Sequence, residues 1–146
     1  KLDMSGNPVG ELAESCDLSS DRTTITFRLH KNVRWHDGKP FTSADVLWTY
    51  LGSREGYMAH PRYKSALDTL IASYETPDPH TFVIKLKSPY AAFLKVFAAS
   101  NYAMPIVPKH IYDGTDISKN PANWPRASPQ SSVQRLTMLQ NWHQLA

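Results

Sequence analysis

His36 and Asp37 stand side by side in "VRWHDGKPFTSADV", an imidazole next to a carboxylate, the two groups that hydrolases combine to take a proton from a nucleophile. Neighbouring side chains in extended backbone diverge, so residues adjacent in sequence rarely aim at a common atom. Such a dyad also needs a nucleophile or a metal. No motif supplies one: the chain has no glycine-rich phosphate cradle, no G-x-S-x-G, no H-E-x-x-H and no paired C-x-x-C. A turn whose polar side chains bond to backbone is the stronger reading, and a His36/Asp37 hydrolase is the weaker alternative.

The other reactive groups are as unpatterned. The histidines at 30, 36, 60, 80, 110 and 143 match no metal-ligand spacing and read as surface residues, so neither metal nor cofactor is expected. Cys16, the one cysteine, has no partner for an internal disulfide and reads as a small core residue. Most aromatics, among them Trp35, Trp48, Tyr50, Tyr74 and Tyr90, fall on apolar sides of strand or helix patterns and read as core. The exception is "YMAHPRY", where Tyr57, His60, Arg62 and Tyr63 cluster without periodicity in a loop; clefts are lined from such segments, though a solvent-facing linker is the stronger reading. Arg62 and Tyr63, with Met104 in "YAMPIVPKHIY", a buried extended piece followed by a short helical turn, are the candidate ligand-binding residues.

These groups must be positioned by short elements. "ELAESCDLS" reads as a short strand or an approach to one, and Ser19 to Arg22 as a turn. "TTITFRLH" alternates, with Ile25, Phe27 and Leu29 on one face. Asp37-Gly38 signals a tight turn and Pro40 bars a central strand. Thr42 or Ser43 can then cap a helix, with Asp45 in its first turn and Val46, Leu47 and Tyr50, extended by Trp48 and Leu51, on its apolar side. That helix should end near Gly52 or Gly56. A second helix grades into a strand near Ile71 to Glu75, Asp78-Pro79 turns the chain, and "TFVIKLK" alternates again through Phe82, Ile84 and Leu86. "SPYAAFLKVFAAS" reads as a helix. Strands in neighbouring pairs, interleaved with helices, predict an α+β fold: an antiparallel sheet with helices packed on it.

The totals fit one domain, and they exclude some classes. There is no apolar run long enough for a membrane helix, and a net charge of +3 spread along 146 residues makes no nucleic-acid stripe. The opening "KLDMSGNPVGELAESC" has no initiating Met and no signal-peptide pattern, which predicts a fragment of a longer protein.

The string Leu12-Ala13-Glu14-Ser15, Thr26-Phe27, Leu29, Val33, His36-Asp37-Gly38, Pro40-Phe41-Thr42, Asp45-Val46 resembles the region shared by the extracellular solute-binding proteins of family 5. "DTLIASYETPDPHTFVIKLKSPYAAFLKVFA" and "IVPKHIY" are similar to its continuation. The resemblance implies the substrate-binding component of an ABC importer for peptides, nickel or another small solute, periplasmic or extracellular, working without catalysis and delivering to a membrane permease. In it, His36, Asp37, Gly38, Pro40 and Asp45 are a structural signature within an accessory subdomain of a two-lobed binding protein of type II-like architecture. Cys16 departs from the family's usual tryptophan and His30 from its arginine.

After Asn123-Trp124-Pro125 the expected glycine-rich return strand is missing. Residues 1–125 are therefore expected to be the subdomain, an incomplete lobe. Residues 126–146 would be a divergent tail arising from frameshift or truncation, with Val133, Leu136, Leu139 and Trp142 on one side of a helix. A chain lacking one lobe and most of the other is expected to bind peptide or metal weakly. A standalone module that self-associates is the alternative.

Overall fold

The computed structural model describes residues 4–5, 10–54, 68–90, 92–94 and 106–114. The chain packs as two units, residues 1–31 with 42–107 and residues 32–41 with 108–146.

The first unit holds a four-stranded antiparallel sheet built from β1 (Ala13–Leu18), β2 (Thr24–Leu29), β3 (Ile71–Asp78) and β4 (Thr81–Leu86), in the order β1-β2-β4-β3. Both expected alternations appear. Ile25 and Leu29 of β2 and Phe82, Ile84 and Leu86 of β4 are buried, and Phe27 beside them is half-buried. Register follows from these faces: Ile25 opposes Ile84 and Phe27 opposes Phe82, so a slip by one residue would turn every apolar side chain outward. Val83, on the other face of central β4, is also buried, because Thr26 and Glu75 flank it across both neighbouring strands.

The connections obey turn chemistry. Between β1 and β2, Asp21 accepts the Thr23 N–H at 3.1 Å and the Thr23 hydroxyl at 2.8 Å, while Arg22 takes a positive φ of 57°. Between β3 and β4, Asp78 accepts the His80 N–H at 2.7 Å. Strand β3 runs past the expected Glu75 to Asp78. It carries Pro77 because it is an edge strand with a bulge between Glu75 and Asp78, where a missing N–H costs no ladder bond.

Helix α1 (Ser43–Arg54) packs on β3 and β4. Its Tyr50 ring stacks on Phe82, centroids 5.5 Å apart, and lies 5.6 Å from Tyr74. Val46 and Thr49 beside it are buried, whereas Leu51, expected on the same face, is 41% exposed. Two further expectations are corrected. Cys16 is exposed rather than core, as is Leu18, since both lie on edge strand β1 while α1 covers the β3–β4 side of the sheet. Tyr90 is exposed because the chain has already left the sheet after Leu86.

Residues 68–70 are helical before β3, as the sequence predicts, and so are residues 93–94. The remainder of both predicted helices, and the whole of the predicted tail helix, lies outside the described residues. In the second unit Trp35, Phe41 and Tyr112 are buried, and a single helical turn, α2 (Lys109–Tyr112), follows Pro108.

Candidate functional site

The corner from Arg34 to Asp45 is the densest cluster of signature residues, and its bonds fall into two sets. In the second unit, Arg34 and Pro40 form an isolated antiparallel bridge. Inside it the Trp35 N–H donates to the Lys39 carbonyl at 2.8 Å and the Gly38 N–H to the Trp35 carbonyl at 2.9 Å. Asp37 accepts the Lys39 N–H at 3.1 Å, the side-chain bond that turns favour, and the Arg34 guanidinium caps the Gly38 carbonyl at 2.9 Å. The Trp35 ring meets Phe41 edge-on at 5.7 Å. Pro40 cannot donate an N–H, and a bridge confined to one residue pair does not need it to.

Gly38 has φ of 82°, and a Cβ added there would meet nothing within 4 Å. Glycine is required by backbone strain alone. Gly38→Val should therefore destabilise the unit by about 1–2 kcal/mol, with no clash to relieve. A urea melt that left the midpoint unmoved would show that the turn adopts a different conformation.

His36 does not pair with Asp37. It is exposed, and the second Asp37 oxygen lies 2.7 Å from His110 Nε2 on α2. Burial raises the Asp37 pKa, but the Lys39 N–H, the His110 hydrogen bond and the positive charges of His110 and Lys39 outweigh it and hold the carboxyl below its usual range. His110 is the residue that sequence reasoning missed. Its one signal was its place in "IVPKHIY", and nothing in that string points to a partner 73 residues upstream.

In the first unit, Asp45 closes the start of α1. Its carboxylate accepts the Thr42 N–H at 2.9 Å and the Thr42 hydroxyl at 3.2 Å, and the Asp45 N–H returns a bond to the Thr42 carbonyl at 3.1 Å. This is the backward half of a capping box. Ser43 fastens the same end to the β3–β4 turn: its hydroxyl donates to the Asp78 carbonyl at 2.6 Å and its N–H to the Pro79 carbonyl at 2.8 Å. One turn later Thr49 donates to the Asp45 carbonyl at 2.8 Å and accepts the Val107 N–H at 3.0 Å, tying the Ile106-Val107 segment to the helix.

The signature residues His36, Asp37, Gly38, Pro40 and Asp45 thus sit in turns, bridges and caps. Arg62, Tyr63 and Met104, the ligand-binding candidates, lie outside the described residues. Among the described residues no three His, Cys, Asp or Glu side chains gather as a metal site would need, and no helix is long and apolar enough to cross a membrane.

Residues 7–131 match the family described as "Bacterial extracellular solute-binding proteins, family 5 Middle". The chain belongs to the family 5 solute-binding proteins. A Brucella ovis protein named as an ABC transporter peptide-binding protein is 42% identical over 106 residues, which cover 70% of this chain and 20% of that relative. The periplasmic oligopeptide-binding protein TM1223 of Thermotoga maritima superposes with a TM-score of 0.63 at 26% identity, over 78% of this chain and 20% of that one. NikZ of Campylobacter jejuni, solved with Ni(L-His), superposes with a TM-score of 0.60 at 27% identity, over 73% and 20%. The chain spans about a fifth of the length of the curated relatives it matches.

Proposed function

We propose that this chain supplies the sheet-and-helix subdomain of a solute-binding protein. That protein captures a peptide or another small solute outside the cytoplasmic membrane and passes it to an ABC permease without chemistry. Membership of family 5 carries the reading. The corner geometry supports it. Asp37 is engaged by a backbone N–H and by His110, while neighbouring His36 is exposed, so the adjacent dyad that suggested hydrolysis is not assembled. The names of the relatives point to peptides first, with a nickel–histidine complex as the second ligand class.

In this reading residues 1–125 form the subdomain, residues 126–146 are a divergent tail, and Arg62, Tyr63 and Met104 contribute to ligand binding. The protein works in the periplasm or outside the cell. Ligand gripped between two walls loses most of its contacts when one wall is absent, and each loss of about 1.4 kcal/mol weakens binding tenfold. Calorimetric titration with a defined set of tri- to pentapeptides should therefore give a Kd at least about a hundredfold weaker for the 146-residue chain than for the full-length Brucella ovis relative. Equal affinities would sink the proposal that this chain is one part of a two-walled site.

A further inference from the structure

Two motifs far apart in the sequence, His36-Asp37-Gly38 and Pro108-Lys109-His110, meet at one contact inside the second unit. What they join is weak by itself. Helix α2 is four residues long and has no side-chain cap at Pro108; its turn is closed by the Ile111 N–H to the Pro108 carbonyl at 3.1 Å and the Asp113 N–H to the Lys109 carbonyl at 2.7 Å. A single helical turn fixes more dihedral angles than its bonds offset, so it persists only where side chains hold it. Buried Tyr112 is one such anchor, and the His110–Asp37 contact is another.

We propose that the contact between the His110 imidazole and the Asp37 carboxylate is a proton-sensitive clip fastening α2 to the Arg34–Pro40 turn, tight while His110 is protonated and slack once it is neutral. The geometry is that of a charge-assisted bond, 2.7 Å between Nε2 and Oδ2, with the two side chains 23% and 31% exposed. Imidazole is the side chain that changes charge between about pH 5 and 8. Asp37, held below the usual carboxylate range, stays ionised throughout that window. The sign follows: a full positive charge faces the carboxylate at the acid end, and only an N–H dipole at the alkaline end.

Other charged groups lie on both sides of the contact. On the turn these are Lys39, whose charge also acts on Asp37, Arg34, bonded to the Gly38 carbonyl, and exposed His36. On α2, Lys109 lies 3.8 Å from Asp113 one turn on. Of these His36 alone is another imidazole, so it is the control. The clip does not depend on which solute the protein carries.

Amide hydrogen exchange on the full chain tests it, read at Trp35, Gly38, Phe41, Ile111 and Asp113 and corrected for intrinsic rates. Protection should be about two- to fivefold greater near pH 6 than near pH 8, the range that exposed ion pairs produce. The ratio should fall to one in Asp37→Asn and in His110→Gln, and persist in His36→Gln. Equal protection at the two pH values in the wild-type chain overturns the proposal, and this comparison decides alone should a variant fail to fold. A ratio that survives His110→Gln or Asp37→Asn, or vanishes in His36→Gln, overturns it as well.

Discussion

Phe82→Ala is expected to lower the free energy of unfolding by about 3–5 kcal/mol. Phe82 is 2% exposed, on the central strand β4. Its ring stacks between elements: Tyr50 of α1 at 5.5 Å, Tyr74 of β3 at 5.9 Å, and Phe27 of β2 at 6.3 Å. Truncation removes the ring's transfer free energy and leaves a cavity walled by three aromatic side chains, which are too rigid to collapse into it. Small domains are stable by only about 5–15 kcal/mol, so the loss is a large share of the total. Phe82→Leu keeps most of the volume and should cost about 1.5 kcal/mol or less. Urea denaturation followed by far-UV circular dichroism measures both. A cost under about 1 kcal/mol for the alanine variant would mean that α1 is not docked through this aromatic column.

Asp45→Ala comes second, at about 1.5–3 kcal/mol. Asp45 is 4% exposed, and its carboxylate holds both the N–H and the hydroxyl of Thr42. Alanine leaves those donors without their acceptor at the end of a helix where backbone N–H groups already lack intrahelical partners. It also removes negative charge from the positive end of the helix dipole. Asp45→Asn retains an acceptor oxygen and loses the charge, so it should recover about half of the difference. The same denaturation experiment separates the two variants. Equal losses for alanine and asparagine would show that the charge, and not the hydrogen bonds, stabilises the start of α1.

Both predictions rest on elements visible in the amino-acid order. The period-two patterns of "TITFRL" and "TFVIKL" marked β2 and β4, and Asp37-Gly38 marked a turn that does contain a left-handed glycine. Thr42 and Asp45, three residues apart, marked the first turn of α1. The same string also carried the family resemblance, which the match over residues 7–131 bears out. The misreadings came where neighbours in space, not in sequence, set the outcome. Cys16 has a core residue's chemistry but sits on an edge strand, and Leu51 lies on the helix side away from the sheet.

The sequence alone determined the local alphabet of this protein: which stretches are strands, where the chain must turn, and which residues start the helix. Those features depend on side-chain periodicity, on the φ that glycine permits, and on hydrogen bonds spanning three or four residues, all readable within a short window. Only the tertiary structure decided that Asp37 meets His110 across 73 residues and that Thr49 receives the Val107 N–H across 58. Such pairs form because the fold closes long loops whose cost grows only slowly with length, so no local spacing records them.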